Sequence, residues 1–271
     1  EDSKGVPVIS LGLKGVVYFD LVAEGNPDTG GPMNGEVHSG EASWVHNPAW
    51  RLVQALSTLV DKDQRPAVDG LWDDVREPDR DDRELIRKVA PRFDPKAHLA
   101  DLGVAKFKGE GTKEELITKY LFEPSINVDG VLSGYTGPGT KTVLPDRAMA
   151  KVDIRTVPDM TIEGTREKVM AHLRRRGFTD ISMRTYEDYP WSKVSPREEI
   201  SVACVEADKG PPAPPASPPS PGAASGAAGT ETAAAAAPAP LEASEVPRAA
   251  ISTFSVPVTF TSTTSRGCWY E

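Results

Sequence analysis

Residues 148–186 have the sequence AMAKVDIRTVPDMTIEGTREKVMAHLRRRGFTDISMRTY, which decides the fold. Ala148–Val157 is rich in β-branched residues and predicts a strand. Thr161 predicts the N-cap of a helix that ends in a basic run, at the negative end of the helix dipole, before Gly177. Ile181–Tyr186 predicts another strand. A strand, a helix and a strand in this order indicate half of an α+β domain.

The residues before this stretch predict the other half of the domain. Gly15–Ala23 is β-branched and aromatic and predicts a strand, as does Ile126–Tyr135. Asn47 and Pro48 predict a helix start, because Asn caps helices and Pro suits the first turn. Its apolar stripe is predicted to contain Leu52, Val53, Leu56, Leu59 and Val60. The whole order predicts a ferredoxin-like βαββαβ domain, an antiparallel four-stranded sheet with two helices on one face.

The composition divides the chain into three parts. Residues 1–205 are predicted to form the domain, with an insertion at about 61–120 that contains a helix over Lys113–Tyr120. Asp61–Glu84 holds ten acids against five bases, which favours a solvated surface insertion over an ion site, because the EF-hand order is missing. Residues 206–247 are rich in Ala and Pro and predict a disordered linker, and 248–271 stay unassigned.

Charge and hydropathy exclude several classes of function. The net charge of −9 and the pI near 5.1 argue against nucleic-acid and anionic-membrane partners, which need a basic face. No apolar run approaches the roughly 18 to 20 residues of a membrane span. Cys204 and Cys268 lie outside any CxxC or Cys/His spacing, so we expect neither a disulfide framework nor a cysteine zinc site. A cytoplasmic location is the default expectation.

The histidines give one candidate for chemistry. The four histidines are His38, His46, His98 and His172. Their spacing matches no zinc motif, so we expect none of them to bind a metal. His172 lies in a charged helix and is predicted to be exposed, and His98 is predicted to lie in a loop. His38 lies in a small-residue, Gly-flanked loop that can present an imidazole to another surface.

Two further features remain open on the residues alone. The segment Gly134–Thr142 invites a phosphate-loop interpretation, but its Lys comes one position late for the Walker pattern, and a tight turn between strands is the alternative. Arg155 interrupts an apolar strand, so it is either paired or placed to hold a carboxylate through both ends of its guanidinium.

Six segments together resemble one family. They are Gly12–Phe19, Val37–Gly40, Asn47–Ala49, Asn127–Gly130, Gly137–Pro145 and Asp153–Pro158. In this order, from about Pro7 to Tyr189, the chain resembles the lid, or dimerisation, domain of M20 metallopeptidases of the carnosinase-like dipeptidase branch. Each segment is weak alone, and the series is specific.

The resemblance implies a division of labour. In that family a separate domain binds two metal ions, usually zinc, and a Glu there activates a water molecule for hydrolysis of a dipeptide or related amide. The position matched by His38 reaches into the partner subunit's site and polarises the scissile carbonyl. The positions matched by Thr142 and Arg155 bind the substrate's terminal carboxylate. The resemblance also implies a homodimer formed through the lid.

The catalytic half of the family pattern is missing, since no HxHxD or Glu-Glu element occurs. We therefore expect a lid fragment of a dinuclear-zinc peptidase that binds no zinc and is inactive alone. We also expect sequence past about Val205 to derive from another reading frame or exon. One alternative is a non-catalytic dimerisation or peptide-binding module derived from the lid. A small-molecule-sensing ferredoxin-like domain has only topology in its favour.

Overall fold

The computed structural model describes residues 9–208. The strands are β1 (Gly12–Leu13), β2 (Gly15–Glu24), β3 (Val37–His38), β4 (Ser125–Ser133), β5 (Val143–Leu144), β6 (Arg147–Thr156), β7 (Ser182–Thr185) and β8 (Ser192–Lys193). The helices are α1 (Pro48–Ser57), α2 (Arg80–Val89), α3 (Pro95–Leu102), α4 (Lys113–Phe122), α5 (Ile162–Arg175) and α6 (Glu199–Asp208). The fold is therefore of mixed α/β type.

The main sheet has four antiparallel strands in the order β4-β6-β2-β7. β2 and β6 pair along their whole length, from Gly15 opposite Thr156 to Glu24 opposite Arg147. β4 pairs with the free side of β6, and a bulge follows Val128. β4 is thus one edge of the sheet and is exposed along most of its length.

One face of this sheet is covered by α1 and α5. Alternation along a strand sends every second side chain to one face, so Phe19 of β2 and Val152 of β6 pack into the same core. Leu52 of α1 and Leu173 of α5 pack against them. The opposite face of the sheet carries charged side chains, among them Lys151, Asp153 and Arg155 of β6.

The two covering helices begin where the sequence predicts. The Asn47 side chain accepts a hydrogen bond from the Ala49 amide at 2.8 Å, and Thr161 accepts one from the Gly164 amide at 3.1 Å. These caps satisfy amides that have no partner within the helix. Val53, predicted to lie on the buried stripe, is 47% exposed. It follows Leu52 by 100° around the helix, which turns it out of the core.

The insertion is more than a solvated surface segment, which corrects the prediction for Asp61–Glu84. Val68 and Leu71 are buried in the main core. Farther along, α2 and α4 enclose a second small apolar cluster around Ile86 and Phe122. The apolar residues within this acidic segment indicated packing against a core, but the prediction was based on the net charge of the segment.

Lys193 connects this second cluster to the rest of the domain. Its Nζ donates to Asp82 at 2.7 Å and to Asp79 at 3.3 Å, at the capped start of α2. β8, which contains Lys193, pairs with β1, which lies just before the main sheet strand β2. The insertion is thereby held against the main domain through the short strand β8.

The end of the chain is described only as far as α6. That helix continues to Asp208, three residues beyond the predicted domain boundary at 205. The rest of the predicted disordered linker, residues 209–247, and the tail 248–271 lie outside the described residues. Within 9–208, none of the helices has the length and apolar character required to cross a bilayer.

Candidate functional site

A two-stranded ribbon brings His38 and Thr142 together. β3 pairs with β5 so that Val37 lies opposite Leu144 and His38 opposite Val143. The Ser39 amide donates to the Thr142 carbonyl at 3.1 Å. Leu144 is buried and anchors the ribbon. Two loops that are distant in sequence are therefore joined at the end of the sheet where β6 begins.

The hydrogen bonds of His38 define the proton position in its neutral ring. The Gly40 amide donates to Nδ1 at 3.1 Å, so Nδ1 is an acceptor and the proton of a neutral ring lies on Nε2. Nε2 lies 3.0 Å from Thr142 Oγ1. When Nε2–H donates to this oxygen, the Thr142 hydroxyl proton is free to donate outward. Both side chains are exposed, so the pair can present a polarised donor to another surface.

The loop Gly134–Thr142 is stabilised by its own side chains. Tyr135 donates its hydroxyl to the Pro138 carbonyl at 2.7 Å, and the Lys141 ammonium lies 5.9 Å from the centre of the Tyr135 ring. Lys141 also forms an ion pair with Glu36. The loop joins β4 to β5, so it lies between strands as the turn interpretation expects, but residues 134–142 form a longer loop than a tight turn. It places Thr142 beside His38.

Arg155 lies on the charged face of the sheet, near the end of β6. Its Nε donates to Asp153 Oδ1 at 3.1 Å, and the side chain is about half exposed. Asn127 donates to the other Asp153 oxygen at 3.2 Å. Burial is the main cause that raises the pKa of Asp153, and the neighbouring Asp129 adds to it. Arg155 is thus held in place by Nε, as one of the two sequence interpretations expects.

Thr142 and Arg155 are not brought together. The ribbon leaves the sheet at the Arg147 end of β6, and Arg155 lies eight residues farther along that strand, about 26 Å away at the usual rise per residue. Leu144 is at most about 10 Å from Arg147, so it lies roughly 15 Å or more from Arg155. Arg155 and the ribbon therefore lie toward opposite ends of β6, and no hydrogen bond joins them among the described residues.

Lys14 is a residue of this region that the sequence analysis missed. Its Nζ donates to the Glu123 carbonyl at 2.6 Å and lies 5.5 Å from the centre of the Tyr120 ring. Burial lowers the pKa of Lys14 to about 8; the Glu123 carboxylate opposes this shift, and the Arg155 charge adds to it. Lys14 lies just before β2, two residues from Val16, which pairs with Arg155. This position was the feature of the sequence that could have identified it.

His172 is fully buried, so the prediction of exposure is wrong. Its Nδ1 accepts a hydrogen bond from the Asp69 amide at 3.1 Å, and Nε2 lies 3.0 Å from the Thr58 carbonyl. Burial lowers the pKa of His172. The polar partners come from the insertion and from the end of α1, which compensates the burial of a polar ring.

His98 lies in α3, so its predicted loop location is also wrong. Asp94 caps this helix, and Pro95 occupies its first turn, a start signal that the sequence analysis overlooked. The His98 ring lies 5.7 Å from the Phe93 ring and 6.1 Å from the Phe107 ring, centre to centre. Its role is packing within the insertion.

The described residues do not fit a zinc centre. Within 9–208, His, Cys, Asp and Glu side chains nowhere form a group of three or more that could hold a metal ion. A hydrolytic zinc site requires at least three such ligands.

Comparison with known proteins identifies the domain. The sequence profile of the peptidase dimerisation domain of the M20 family matches residues 34–180, more than half of the chain. The chain belongs to this family. The match contains the His38 ribbon, the insertion and all of β6.

Curated relatives of this M20 domain are dipeptidases. A Beta-Ala-His dipeptidase of Homo sapiens is 30% identical over 172 residues, which are 63% of this chain and 32% of the relative. A Cys-Gly metallodipeptidase of Schizosaccharomyces pombe is 27% identical over 170 residues, 62% of this chain and 34% of the relative. The chain therefore spans about a third of the length of these relatives.

Solved structures agree with this assignment. An M20 family metallo-carboxypeptidase of Sulfolobus solfataricus has a TM-score of 0.67 at 36% identity, over 77% of this chain and 52% of that one. The dipeptidase Dug1p of Saccharomyces cerevisiae has a TM-score of 0.64 at 27% identity, over 75% of this chain and 42% of that one. The likeness covers most of the described residues of the M20 domain.

Proposed function

We propose that residues 9–208 are the lid of a dinuclear-zinc M20 peptidase that hydrolyses dipeptides or related amides. The order β4-β6-β2-β7, with α1 and α5 on one face, supports a ferredoxin-like lid. The lid contributes dimer contacts and substrate-binding side chains. The metal ions belong to a part of the parent enzyme that 9–208 does not contain.

The His38–Thr142 pair is the observation that carries this proposal. The Gly40 amide fixes the proton on His38 Nε2, which donates to the Thr142 hydroxyl at 3.0 Å, and the outward hydroxyl proton is suited to the oxygen of a scissile carbonyl, where negative charge develops during hydrolysis. A donor of this kind lowers the barrier by on the order of 3 kcal/mol. We assign Thr142 to the carbonyl oxygen together with His38, in place of the carboxylate that the family resemblance implied.

Arg155 binds the terminal carboxylate of the substrate in this proposal. The ends of a dipeptide are only about 7 Å apart, whereas the ribbon and Arg155 of one chain are much farther from each other. In this proposal a dipeptide that contacts His38 and Arg155 takes them from two subunits. Each active site would combine Arg155 of one subunit with His38 and Thr142 of its partner.

An apolar surface on one side of the domain supports the homodimer. Arg51 of α1 bonds to Asp180 and to the Gly177 carbonyl, which fixes that flank of the helix on the α5 side. Val53 lies 200° farther around α1, so it faces the opposite flank, toward the β4 edge. Val131 of β4 is 56% exposed there, and Trp50 is 67% exposed on the same side of α1. Exposed apolar side chains beside the unpaired edge of a strand are suited to contact a second copy of the domain.

The site assignment can be tested in a chimera. Residues 9–193 of this chain would replace the corresponding domain of the dipeptidase Dug1p of Saccharomyces cerevisiae. His38→Ala should reduce kcat about 100-fold or more, whereas Arg155→Ala should mainly raise KM for dipeptides with a free carboxylate. His98→Ala is the control and should change neither constant. Equal effects of all three substitutions would contradict the proposal.

The alternative is a dimerisation or peptide-binding module without chemistry. It is favoured by the lack of a metal-ligand group within 9–208. Zinc analysis and a dipeptide panel on the purified 271-residue chain address it, together with the solution mass. We expect a dimer without dipeptide turnover; turnover that depends on zinc would contradict the assignment of the metal centre to another part of the enzyme.

A further inference from the structure

We infer that Lys14 is a second cation of the carboxylate site at Arg155 and binds the terminal carboxylate together with the Arg155 guanidinium. The inference deepens the proposed function and rests on its assignment of Arg155. It adds a binding residue that lies outside β6. Because the carbonyl just after α4 holds Lys14, the insertion then also contributes to substrate binding.

The strand register places the two cations near each other. Val16 lies opposite Arg155 in the β2–β6 ladder. Lys14 lies immediately before β2, two positions before Val16, and its Nζ bonds to the Glu123 carbonyl. Glu123 is two positions before Ser125, which lies opposite Arg155 on the other side of β6. The effect of the Arg155 charge on Lys14 agrees with this proximity.

Helix α4 holds the Lys14 ammonium in place. The Glu123 carbonyl, just after α4, accepts one of its three protons at 2.6 Å, and the Tyr120 ring lies 5.5 Å away. Two ammonium protons remain for another acceptor. The side chain is partly buried, so a carboxylate that binds there meets a cation already ordered by its surroundings.

Arg155 presents the matching half of the site. Its bond to Asp153 uses Nε, and among residues 9–208 no acceptor is bonded to its two terminal nitrogens. These nitrogens are the pair that binds carboxylates in a fork. A carboxylate between this fork and Lys14 Nζ would receive bonds from both cations and would separate two like charges.

Electrostatics then gives the site a pH dependence. The charged and titratable groups that face Lys14 are Glu123, Tyr120 and Arg155, with Asp153 behind the guanidinium. Because Lys14 has a pKa of about 8 in the free protein, it begins to lose its charge in mildly alkaline solution. A bound anion favours the charged form and should raise this pKa. Carboxylate affinity should therefore fall as the pH rises through 8.

The test uses the 271-residue chain with lysine labelled by carbon-13, observed by NMR. The probe is N-acetylglycine, and N-acetylglycinamide is the uncharged control ligand. We expect the acid, and not the amide, to shift the Lys14 Cε signal and to raise the titration midpoint of this signal. Lys14→Met should weaken the binding of N-acetylglycine at pH 7 at least fivefold and remove the loss of affinity above pH 8. Lys62→Met, at an exposed lysine, should leave both unchanged.

A second measurement does not depend on ligand binding. Arg155→Met should raise the Lys14 midpoint in the absence of ligand, because a neighbouring positive charge is removed. In the ligand titration, Lys14→Arg should keep most of the affinity for N-acetylglycine. If Lys14→Met binds like the wild type while Arg155→Met loses binding, the inference is overturned and the assignment of Arg155 stands. If Arg155→Met also binds like the wild type, both are overturned. Amide-proton spectra establish that each variant is folded.

Discussion

At the scale of single residues, the His38–Thr142 contact joins side chains 104 positions apart in sequence. The sequence motifs identify both residues, and the structure adds their relation: a hydroxyl that accepts from Nε2, and a backbone amide that fixes the tautomer. That relation depends on the pairing of two-residue strands, β3 and β5, which are too short to produce an alternation pattern.

The first prediction concerns the Thr142 hydroxyl. In the chimera, Thr142→Val keeps the shape of the side chain but removes the oxygen bonded to His38, so kcat should fall about 10- to 100-fold with a smaller change in KM. Thr142→Ser keeps the hydroxyl and should retain most of the activity. Steady-state kinetics separates these outcomes. A loss confined to KM in Thr142→Val would instead assign Thr142 to the carboxylate.

The second prediction concerns the stability contributed by His172. Burial lowers its pKa in the folded state, so the unfolded chain binds the proton more tightly, and stability decreases as the pH falls below about 6.5. The contribution is complete above that pH. The groups around the ring are Asp69, Arg175, Arg176 and Thr58. Asp69 also has a lowered pKa, so its contribution is lost in the same direction as the pH falls, but only in stronger acid, below the usual pKa of a carboxyl group.

Urea unfolding of wild type and His172→Gln at pH 7.5, 6.5 and 5.5 measures this contribution. The wild type should lose stability with a slope of at most about 1.4 kcal/mol per pH unit for the one proton, and His172→Gln should show a flatter profile. His46→Gln, at an exposed histidine, is the control. Parallel profiles for wild type and His172→Gln would assign the acid sensitivity to other groups.

At the scale of elements, caps and strands were predictable because their signals are local. Asn47 and Thr161 cap their helices as predicted, and β2, β6 and α5 agree with their predicted ranges within one or two residues. The failures have two causes: the helix of His98 has a local start signal that was overlooked, whereas the burial of His172 depends on a contact between elements. His172 is buried because the insertion packs over it. The charged residues of its own helix do not predict this burial.

The third prediction is that the apolar flank of β4 and α1 forms the dimer contact. Val131→Lys places a charge on this flank, so the dimer should dissociate and the solution mass should halve, with little change in monomer stability because the residue is exposed. Val104→Lys, at an exposed valine of the insertion, is the matched control and should remain dimeric. Sedimentation at several concentrations distinguishes the two. An unchanged mass for Val131→Lys would exclude this flank.

At the scale of the whole molecule, the domain has two apolar clusters of unequal size. The main one contains the sheet, α1 and α5, and the smaller one contains Ile86 and Phe122 in the insertion. The sequence indicated the large core through strand and helix periodicity. It did not indicate the small one, whose members are spread over α2, the segment after it and α4.

The fourth prediction is that the insertion unfolds at a lower free energy than the sheet. Phe122→Ala should cost about 3–5 kcal/mol within the small cluster, and hydrogen exchange of α2 and α4 amides should accelerate while β6 amides stay protected. Phe19→Ala, in the main core, should accelerate exchange throughout. If Phe122→Ala accelerated exchange in β6 to the same extent, the two clusters would form one cooperative unit.

The distance between Arg155 and the His38 ribbon has a genetic consequence for the full-length enzyme. If each site takes Arg155 from one subunit and His38 from its partner, as proposed, homodimers of His38→Ala subunits and homodimers of Arg155→Ala subunits should each be defective in both sites. A heterodimer of the two collects both lesions in one site and leaves the other intact. Random assortment of equal amounts gives half heterodimers, so about a quarter of all sites are restored. Two recessive alleles of this kind would complement each other within one cell.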